Sequence, residues 1–530
     1  MLRSFSRRRR GSLLAATALS AALATTGCAV RPQPLTSDEI ALYSADKFAR
    51  VTSDEEPVRG ELSLYEAVAR GVKYNLDFKV ELFQTALRVK DLELANYRLL
   101  PGMAAEAGYS TRNNFAASSS RSIDTGLQSL QTSTSQQRSD LIADSAISWN
   151  VLDFGLSYVR ALQAADEVLM AEEAKRKVVN RIVEDIRTAY WRAYSAQHLV
   201  EKLRALETRV RNAISDSRKI SNNLESSPIA ALTYERELIE IKRQLQAIEG
   251  ELQTAKIQLA ALMNLKPDAS FRLSGIGRVG EPPVLKLDAR RLIATALENR
   301  PELRDVQLKS RVNEKEATAA LLELMPGLQL YAGPNYDGNS FLLNNNWLGL
   351  GAKASFNLIS LFRYPARVDQ IDAQAALLDQ RALALTMAIL TQVKVSEIRY
   401  RHYSKELATA DEFLNVQGRL LAQIRAQATT EKVSEQTLIR EEMNMLVAQA
   451  KRDVAYADTQ TAYGNVYEAL GYDPYGGFID KVSSVHDVAA AFKRGWVGGR
   501  AGVPTRPVTP AAALVATAAA KADAPSEFAR

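Results

Sequence analysis

From about Leu156 to Leu224 apolar residues recur every three or four positions, through Val179, Ile182, Ile186, Ala189, Val200, Val210 and Ile220. No Pro or Gly interrupts the run between Gly155 and Pro228. That period predicts one helix of about 65 residues, roughly 100 Å long at ~1.5 Å per residue. Such a length exceeds an ordinary globular helix and predicts a coiled-coil-like wall. The pattern returns from about Val368 to Ala428, through Ile389, Val393, Tyr400, Leu407, Leu414 and Leu421. Each long run meets a polar break, SNNLESSPIAA (221–231) or QATTEKVSEQT (427–437), and then a shorter helical pattern reaching Leu262 or Leu470.

A second pair of helical patterns, about Leu64–Leu100 and Leu287–Met325, runs into two matching junctions, LLPGMAAEAGY at 99–109 and LMPGLQLYAGP at 324–334. After Pro101-Gly102 and after Pro326-Gly327 the period drops from 3.6 to 2, which marks a helix-to-strand junction. In SDLIADSAISWNV (139–151), Leu141, Ala143, Ile147, Trp149 and Val151 share one face, while Ile142, Asp144, Ser148 and Asn150 share the other. Leu348, Leu350, Ala352, Ala354 and Phe356 alternate likewise with Gly349, Gly351, Lys353, Ser355 and Asn357. Polar stretches at 113–138 and 337–346 join the strands as exposed loops. Strands of about ten residues with one lipid-like face fit a membrane β-barrel. Amphipathic hairpins over a soluble core are the other reading, although four strands cannot close alone and little else in the chain would cover them.

The expected organisation is a mainly helical, internally duplicated chain. Its divisions are a signal peptide (1–27), a lipid-anchored segment (28–60) that wraps the barrel or lies disordered, and a first repeat (61–268) with its strand hairpin at 103–153. A second repeat (269–475) with a hairpin at 328–358 comes next, and then a flexible Ala/Pro-rich tail (476–530).

The formal charge of +6 changes little. Five of the arginines, Arg3 and Arg7 to Arg10, lie in the signal-like start, so the chain without residues 1–27 carries 6 − 5 = +1. A nucleic-acid surface loses its main support. The start has a basic stretch and a short apolar run ending Thr25-Thr26-Gly27-Cys28, a signal-peptide pattern too short to span a membrane. Cys28 is the one cysteine in the chain. It reads either as an incidental residue beside a cleavage site or as the lipidated first residue of the mature protein. No disulfide can form within the chain.

The doubled LLPG/LMPG junction, Trp149-Asn150…Phe154-Gly155 matched by Phe356-Asn357…Phe362, and Asn299-Arg300-Pro301-Glu302-Leu303 together resemble the TolC-like outer-membrane efflux and secretion channels. The resemblance covers about residues 60–475. It implies a homotrimer whose copies each give four strands to a shared twelve-stranded transmembrane barrel, with the long helices forming a periplasmic α-barrel. It also implies contact with outer-membrane lipid, an acyl anchor at Cys28, and a periplasmic adaptor with an inner-membrane pump or export machinery as partners. The expected role is a passive exit duct; a structural or assembly role in the envelope, or a polysaccharide duct without a standard adaptor and pump, stays open. Many drug-efflux members carry a Tyr-x-x-Gly at the helical turns, and Ala428-Thr429-Thr430-Glu431-Lys432 has no such glycine.

Chemistry is sparse. No GxSxG, P-loop or HExxH occurs, and His198, His402 and His486 lie on separate elements, so neither an enzyme, a metal site nor a cofactor is expected. Glu172-Glu173 and Glu441-Glu442 read as solvated helix faces. Asp216, Arg218, Lys219 and Glu225 flank the first helical turn, and Arg425, Glu431, Lys432 and Glu435 the second. They serve either solubility or, as the resemblance implies, a periplasmic gate held by pairs between neighbouring helices.

Overall fold

The computed structural model describes residues 32–51, 53, 55–222, 228–266, 268–274, 289–429, 433, 435–472 and 484–498. It divides into two units, Met1–Glu55 and Glu56–Arg530. The smaller contributes one described helix, α1 (Ser37–Arg50), inside the span read from composition as wrapped or disordered. A capping box starts it: Glu39 N–H donates to Thr36 Oγ1 at 3.2 Å while Glu39 Oε2 accepts from Thr36 N–H at 2.7 Å, which satisfies two otherwise orphaned donors.

The larger unit begins with β1 (Glu61–Leu62), α2 (Leu64–Tyr74) and α3 (Leu76–Tyr97). The first strand hairpin is β2 (Gly102–Thr111), β3 (Ala117–Ser118), β4 (Ser133–Thr134) and β5 (Ser139–Asn150). Then come α4 (Val151–Asn222), α5 (Pro228–Leu262) and β6 (Arg272–Leu273). The second half runs α6 (Ala289–Asn299), α7 (Pro301–Leu322), β7 (Gly327–Asp337), β8 (Asn346–Ser355), α8 (Leu358–Ala428) and α9 (Glu435–Ala469), followed by α10 (Val485–Gly498). No described helix is long and apolar enough to cross a membrane.

Element lengths repeat: α2 and α6 have 11 residues each, α3 and α7 have 22, α5 and α9 have 35, and α4 and α8 have 72 and 71. Helix starts are offset by 225 residues before the strands (Leu64 to Ala289, Leu76 to Pro301) and by 207 after them (Val151 to Leu358, Pro228 to Glu435). The difference, 225 − 207 = 18, lies in the longer loop between β2 and β5. An offset of 207 therefore pairs each residue of α4 and α5 with its counterpart on α8 and α9.

Periodicity alone predicts unbroken helices over about Leu64–Leu100 and Leu287–Met325, and cap chemistry divides each. Asn75 Oδ1 accepts from the N–H groups of Asp77 at 2.9 Å and Phe78 at 3.3 Å, restarting the helix as α3. Pro301 occupies the first turn of α7, where its missing N–H leaves no bond unmade. The ends of α5 and α9 match as well. Asn264 (φ 60°) and Gly471 (φ 65°), 207 apart, adopt the left-handed conformation. Leu265 N–H reaches Ala260 O at 2.8 Å and Tyr472 N–H reaches Tyr467 O at 3.1 Å, the long bond of a Schellman cap. Each capped end abuts a divided helix. Asn75 Nδ2 donates to Leu262 O at 3.4 Å, and a Cβ on Gly471 would lie 2.8 Å from the Asn299 carbonyl.

Four columns result, side by side: α3 end to end with α5, then α4, then α7 end to end with α9, then α8. The main sheet has the same order, β2-β5-β7-β8, because each column feeds its neighbouring strand. The cores that bind the columns repeat too. Ile182, Ile186, Leu259 and Met263 are matched, 207 residues on, by Ile389, Val393, Val466 and Leu470, all eight at most 2 % exposed. Helix α10 falls within the tail read from composition as flexible. Val485, Val488 and Phe492 bury one face of it in the first of these cores against α2, which is what holds a short helix in place.

At one core position the two halves swap volume. A Cβ on Gly71 would lie 1.9 Å from Ile186 Cδ1, whereas the matching pair is Ala296 and Val393. Gly71→Ala is expected to lower the thermal unfolding midpoint, through overpacking of about 1–3 kcal/mol. Adding Ile186→Val, which recreates the Ala/Val pair, is expected to recover most of the loss. A double-mutant cycle by circular dichroism checks it, and strict additivity would contradict the shared packing.

Candidate channel wall and helical tip

Residues opposite one another in an antiparallel ladder share a face. Met103 faces Ile147, Tyr109 faces Leu141, Ile147 faces Ala332, Trp149 faces Leu330, and Ala332 faces Leu350. The two alternations read from the sequence therefore fall on one side of one sheet, and that side is apolar across all four strands. It is also bare: Met103, Tyr109, Leu348 and Leu350 are 67–78 % exposed. The other side is polar, with Glu106 opposite Asp144, Asp144 opposite Asn335, and Gln329 opposite Lys353. Asn357, read as part of that polar face, instead caps α8 by accepting from Ile359 N–H at 3.1 Å, because β8 ends at Ser355.

Local chemistry shapes the sheet. Pro101 and Pro326 close the helical approach, and Gly102 and Gly327 open β2 and β7. A Cβ on Gly327 would come within 3.1 Å of Ser355 Oγ and 3.4 Å of Asn150 Nδ2, so the second glycine admits two neighbouring strand ends. The ladder between β5 and β7 skips Ser145 and Ala146, opposite Pro334 and Gly333. Pro334 has no N–H to give, and a Cβ on Gly333 would strike the Ser145 carbonyl at 1.7 Å. Among the described residues, strands β2 and β8 each lack a partner on their outer edge.

Just below the sheet, sheltered charges tie three columns. Glu316 of α7 accepts from Arg160 of α4 and Arg367 of α8, and from Gln163 Nε2 at 2.9 Å. Burial alone would raise this carboxyl, but the hydrogen bonds from Arg160 and Gln163 outweigh it and hold Glu316 at about 2. Asp166 of α4 is buried and accepts from Arg311 and Lys315 of α7.

At the far end of the long helices the arginines of the pairs are exposed, while Glu235 and Glu442 are sheltered. Arg218 reaches Glu235 at 2.6 Å between α4 and α5, and Arg425 reaches Glu442 at 3.0 Å between α8 and α9. Both partners differ by 207, so this is one pair written twice. Two further ties cross between the halves, Arg209 of α4 with Glu442 and Arg440 of α9 with Glu237 of α5, the latter at 2.8 Å. Beneath them Leu206, Val210, Leu238, Ile439 and Met443 form a small apolar core. The four arginines are 42–60 % exposed, so each pair contributes only about 0–1 kcal/mol.

Of the tip residues singled out in the sequence, Arg218 and Arg425 occupy equivalent pairs. Asp216 and Lys219 lie on α4 and Glu435 opens α9, without side-chain description. Glu225, Glu431, Lys432 and Cys28 lie outside the described residues. The acceptors Glu235, Glu237 and Glu442 were missed, although Glu235 and Glu442 stand 207 apart as Arg218 and Arg425 do. Glu441 and Glu442 are not solvated: Gln417 donates to Glu441 at 2.8 Å, and Glu442 is 14 % exposed between two arginines. Glu173 is likewise sheltered, against Arg176 at 2.7 Å and Arg304 at 3.6 Å.

Midway along the helices, where α7 meets α9, Arg300 donates to Glu468 at 3.2 Å, to Glu302 at 3.4 Å and to Gln392 at 2.9 Å. Glu184 of α4 sits beside this group with no ion pair among the described residues. Burial, then repulsion from Glu468 and Asp185, outweigh Arg300 and raise its pKa to about 7.

No protein-family model and no curated protein matches the sequence. Solved structures do. The Campylobacter jejuni CmeC outer membrane channel aligns with a TM-score of 0.61 at 11 % identity, covering 88 % of this chain and 98 % of that one. The fold is that of the outer-membrane channels. The Neisseria gonorrhoeae MtrE outer membrane channel, crystallised in its open state, aligns at 0.60 and 14 %, covering 80 % and 94 %. The Vibrio cholerae outer membrane protein VceC aligns at 0.56 and 14 %, covering 77 % and 96 %. The TolC-like resemblance read from the sequence holds at the level of fold, with mostly helical columns continuing into a small sheet.

Glu184 generates a pH dependence. Its folded pKa of about 7 exceeds the ordinary 4.5, so the folded chain holds a proton that the unfolded chain releases. The associated stability is present below about pH 4.5 and is lost as pH rises through about 7. Allowing for its partly solvated position, the effect is on the order of 1–2 kcal/mol. Glu184→Gln is therefore expected to match the parent near pH 4 and to unfold at higher temperature than the parent near pH 8. Parallel pH–stability curves for the two proteins would contradict it.

Proposed function

We propose that three copies of this chain close into a tube in the bacterial outer membrane and act as the passive exit duct of a trans-envelope export system. The observation that carries the reading is the sheet, with one apolar face, one polar face and two unpaired edges. In hydrocarbon every backbone N–H and C=O must be bonded, and closure of twelve strands from three copies achieves this where four cannot. The apolar side then meets lipid, and the polar side with Glu106, Asp144, Gln329 and Lys353 lines a water-filled passage. The columns below continue the tube into the periplasm for about 100 Å, the length of a 71- or 72-residue helix.

Partners in this reading are a periplasmic adaptor and an inner-membrane pump or export machine, which supply the driving force. Acylation at Cys28, after removal of residues 1–27, anchors each copy beside the barrel. The cations of the tip pairs, 42–60 % exposed against 23–49 % beneath the sheet, support a gate at the tip. The proposed barrel, whose width grows with strand number, has Gly349, Gly351 and Ser355 among the inward residues of β8, together with the larger Trp347 and Lys353 and, on β7, Tyr331.

Glu442 is the acceptor shared by Arg209 and Arg425, so Glu442→Gln weakens two ties per copy and six per ring. The variant is expected to raise single-channel conductance in planar bilayers several-fold without loss of assembled protein. It is also expected to sensitise cells to large antibiotics. Unchanged conductance, together with a rise on shortening the 113–138 loop, would move the constriction to the outer mouth.

A further inference from the structure

The 207 offset relates surfaces as well as cores. In the lower half, α4 packs against α9, and their interface includes Leu206 and Ile439, 4 % and 2 % exposed, with Ala213 and Leu446 at its margin. The residues that stand 207 away are Phe413 and Leu420 on α8, and Leu232 and Ile239 on α5. Those four are 44–58 % exposed, and α5 and α8 form the two outer columns of the chain, with no packed interface between them. Each outer column therefore carries one half of an apolar interface whose complete form exists inside the same molecule. The occupant that fits both halves at once is a second copy of this chain, α8 of one against α5 of the next, in a head-to-tail contact that closes by rotation.

The two interfaces differ in one respect. The internal one is crossed by Arg209–Glu442 and Arg440–Glu237. At the outer one, Val416 stands in place of Arg209, opposite Glu235 in place of Glu442. Thr233 stands in place of Arg440, opposite Asn444 in place of Glu237. Arg236 and Glu240 flank the α5 face, but neither reproduces either tie. We propose that the seam between copies near the tip is an apolar contact of Phe413, Val416 and Leu420 with Leu232 and Ile239, lacking the counterparts of both ion pairs that cross between the halves of one chain. Within a copy these two charge pairs add to the apolar core of the tip, and between copies the apolar contact stands without counterparts of either pair. Salt then loosens the halves of each chain and leaves the seam unaffected, since the Debye length governs only the charged contacts.

The inference rests on the proposed ring closure, and its test separates the two. Full-length protein carrying Val416→Cys and Glu235→Cys is purified in detergent and treated with a short bismaleimide, with Cys28 present in every arm. The double variant is expected to give covalent dimers and trimers and each single variant none, while Arg209→Cys with Glu442→Cys links within one chain and adds no mass. A trimeric native mass without cross-linked species overturns the seam and leaves the ring standing; a monomeric native mass overturns both. A second variant, Val416→Arg, installs the missing partner for Glu235. Trimer dissociation is expected to slow by up to about fivefold per seam at low salt, with the gain lost near 1 M, where the Debye length falls to about 3 Å. A gain that persists at high salt, or no gain at all, contradicts the proposed opposition of Val416 and Glu235.

Discussion

Strands β2 and β8 each expose a row of backbone N–H and C=O groups that no described strand of the chain pairs, beside an apolar face open on all four strands. In water such a sheet invites edge-to-edge association, and in hydrocarbon each unpaired group costs several kcal/mol. Much of the larger unit can be understood from that constraint. The columns stand in the same order as the strands, so a partner that completes the sheet also meets α3, α5 and α8. The exposed apolar residues on α5 and α8 copy the buried positions of α4 and α9, as a ring built from repeated halves requires.

The charges along the columns differ in how their cations are placed. Beneath the sheet, Glu316 and Asp166 are sheltered and each accepts from at least two donors, so removing one partner would strand a charge in low dielectric. At the tip, Arg209, Arg218, Arg425 and Arg440 reach out through solvent for pairs worth little individually. Between these ends lies the joint of α7 and α9, where Arg300 gathers Glu302, Gln392 and Glu468 and where Glu184 has no donor among the described residues.

Much of the fold was legible because its signals are periodic. The change from a period of 3.6 to 2 at Pro101-Gly102 and Pro326-Gly327 marks the strands, and pairing registers place Leu141 and Leu348 on one face, as their alternation implies. Local cap chemistry was harder to read: Asn75 and Pro301 divide helices whose apolar pattern continues across the break. Helix α10 was hidden because only one narrow face of it, Val485, Val488 and Phe492, packs. The tip was half legible. Arg218 and Arg425 stand out near the turns, but their acceptors lie a hairpin away and look like surface glutamates until the internal offset pairs them.

Closure of the sheet edges is the claim on which the duct depends, and backbone hydrogen exchange on detergent-solubilised protein tests it directly. With copies pairing β2 to β8, the outward-pointing amides of both edge strands are expected to exchange as slowly as those of β5 and β7, which are bonded within the chain. Exchange of the edge amides at rates near those of an unstructured peptide, with β5 and β7 protected, would contradict a closed barrel.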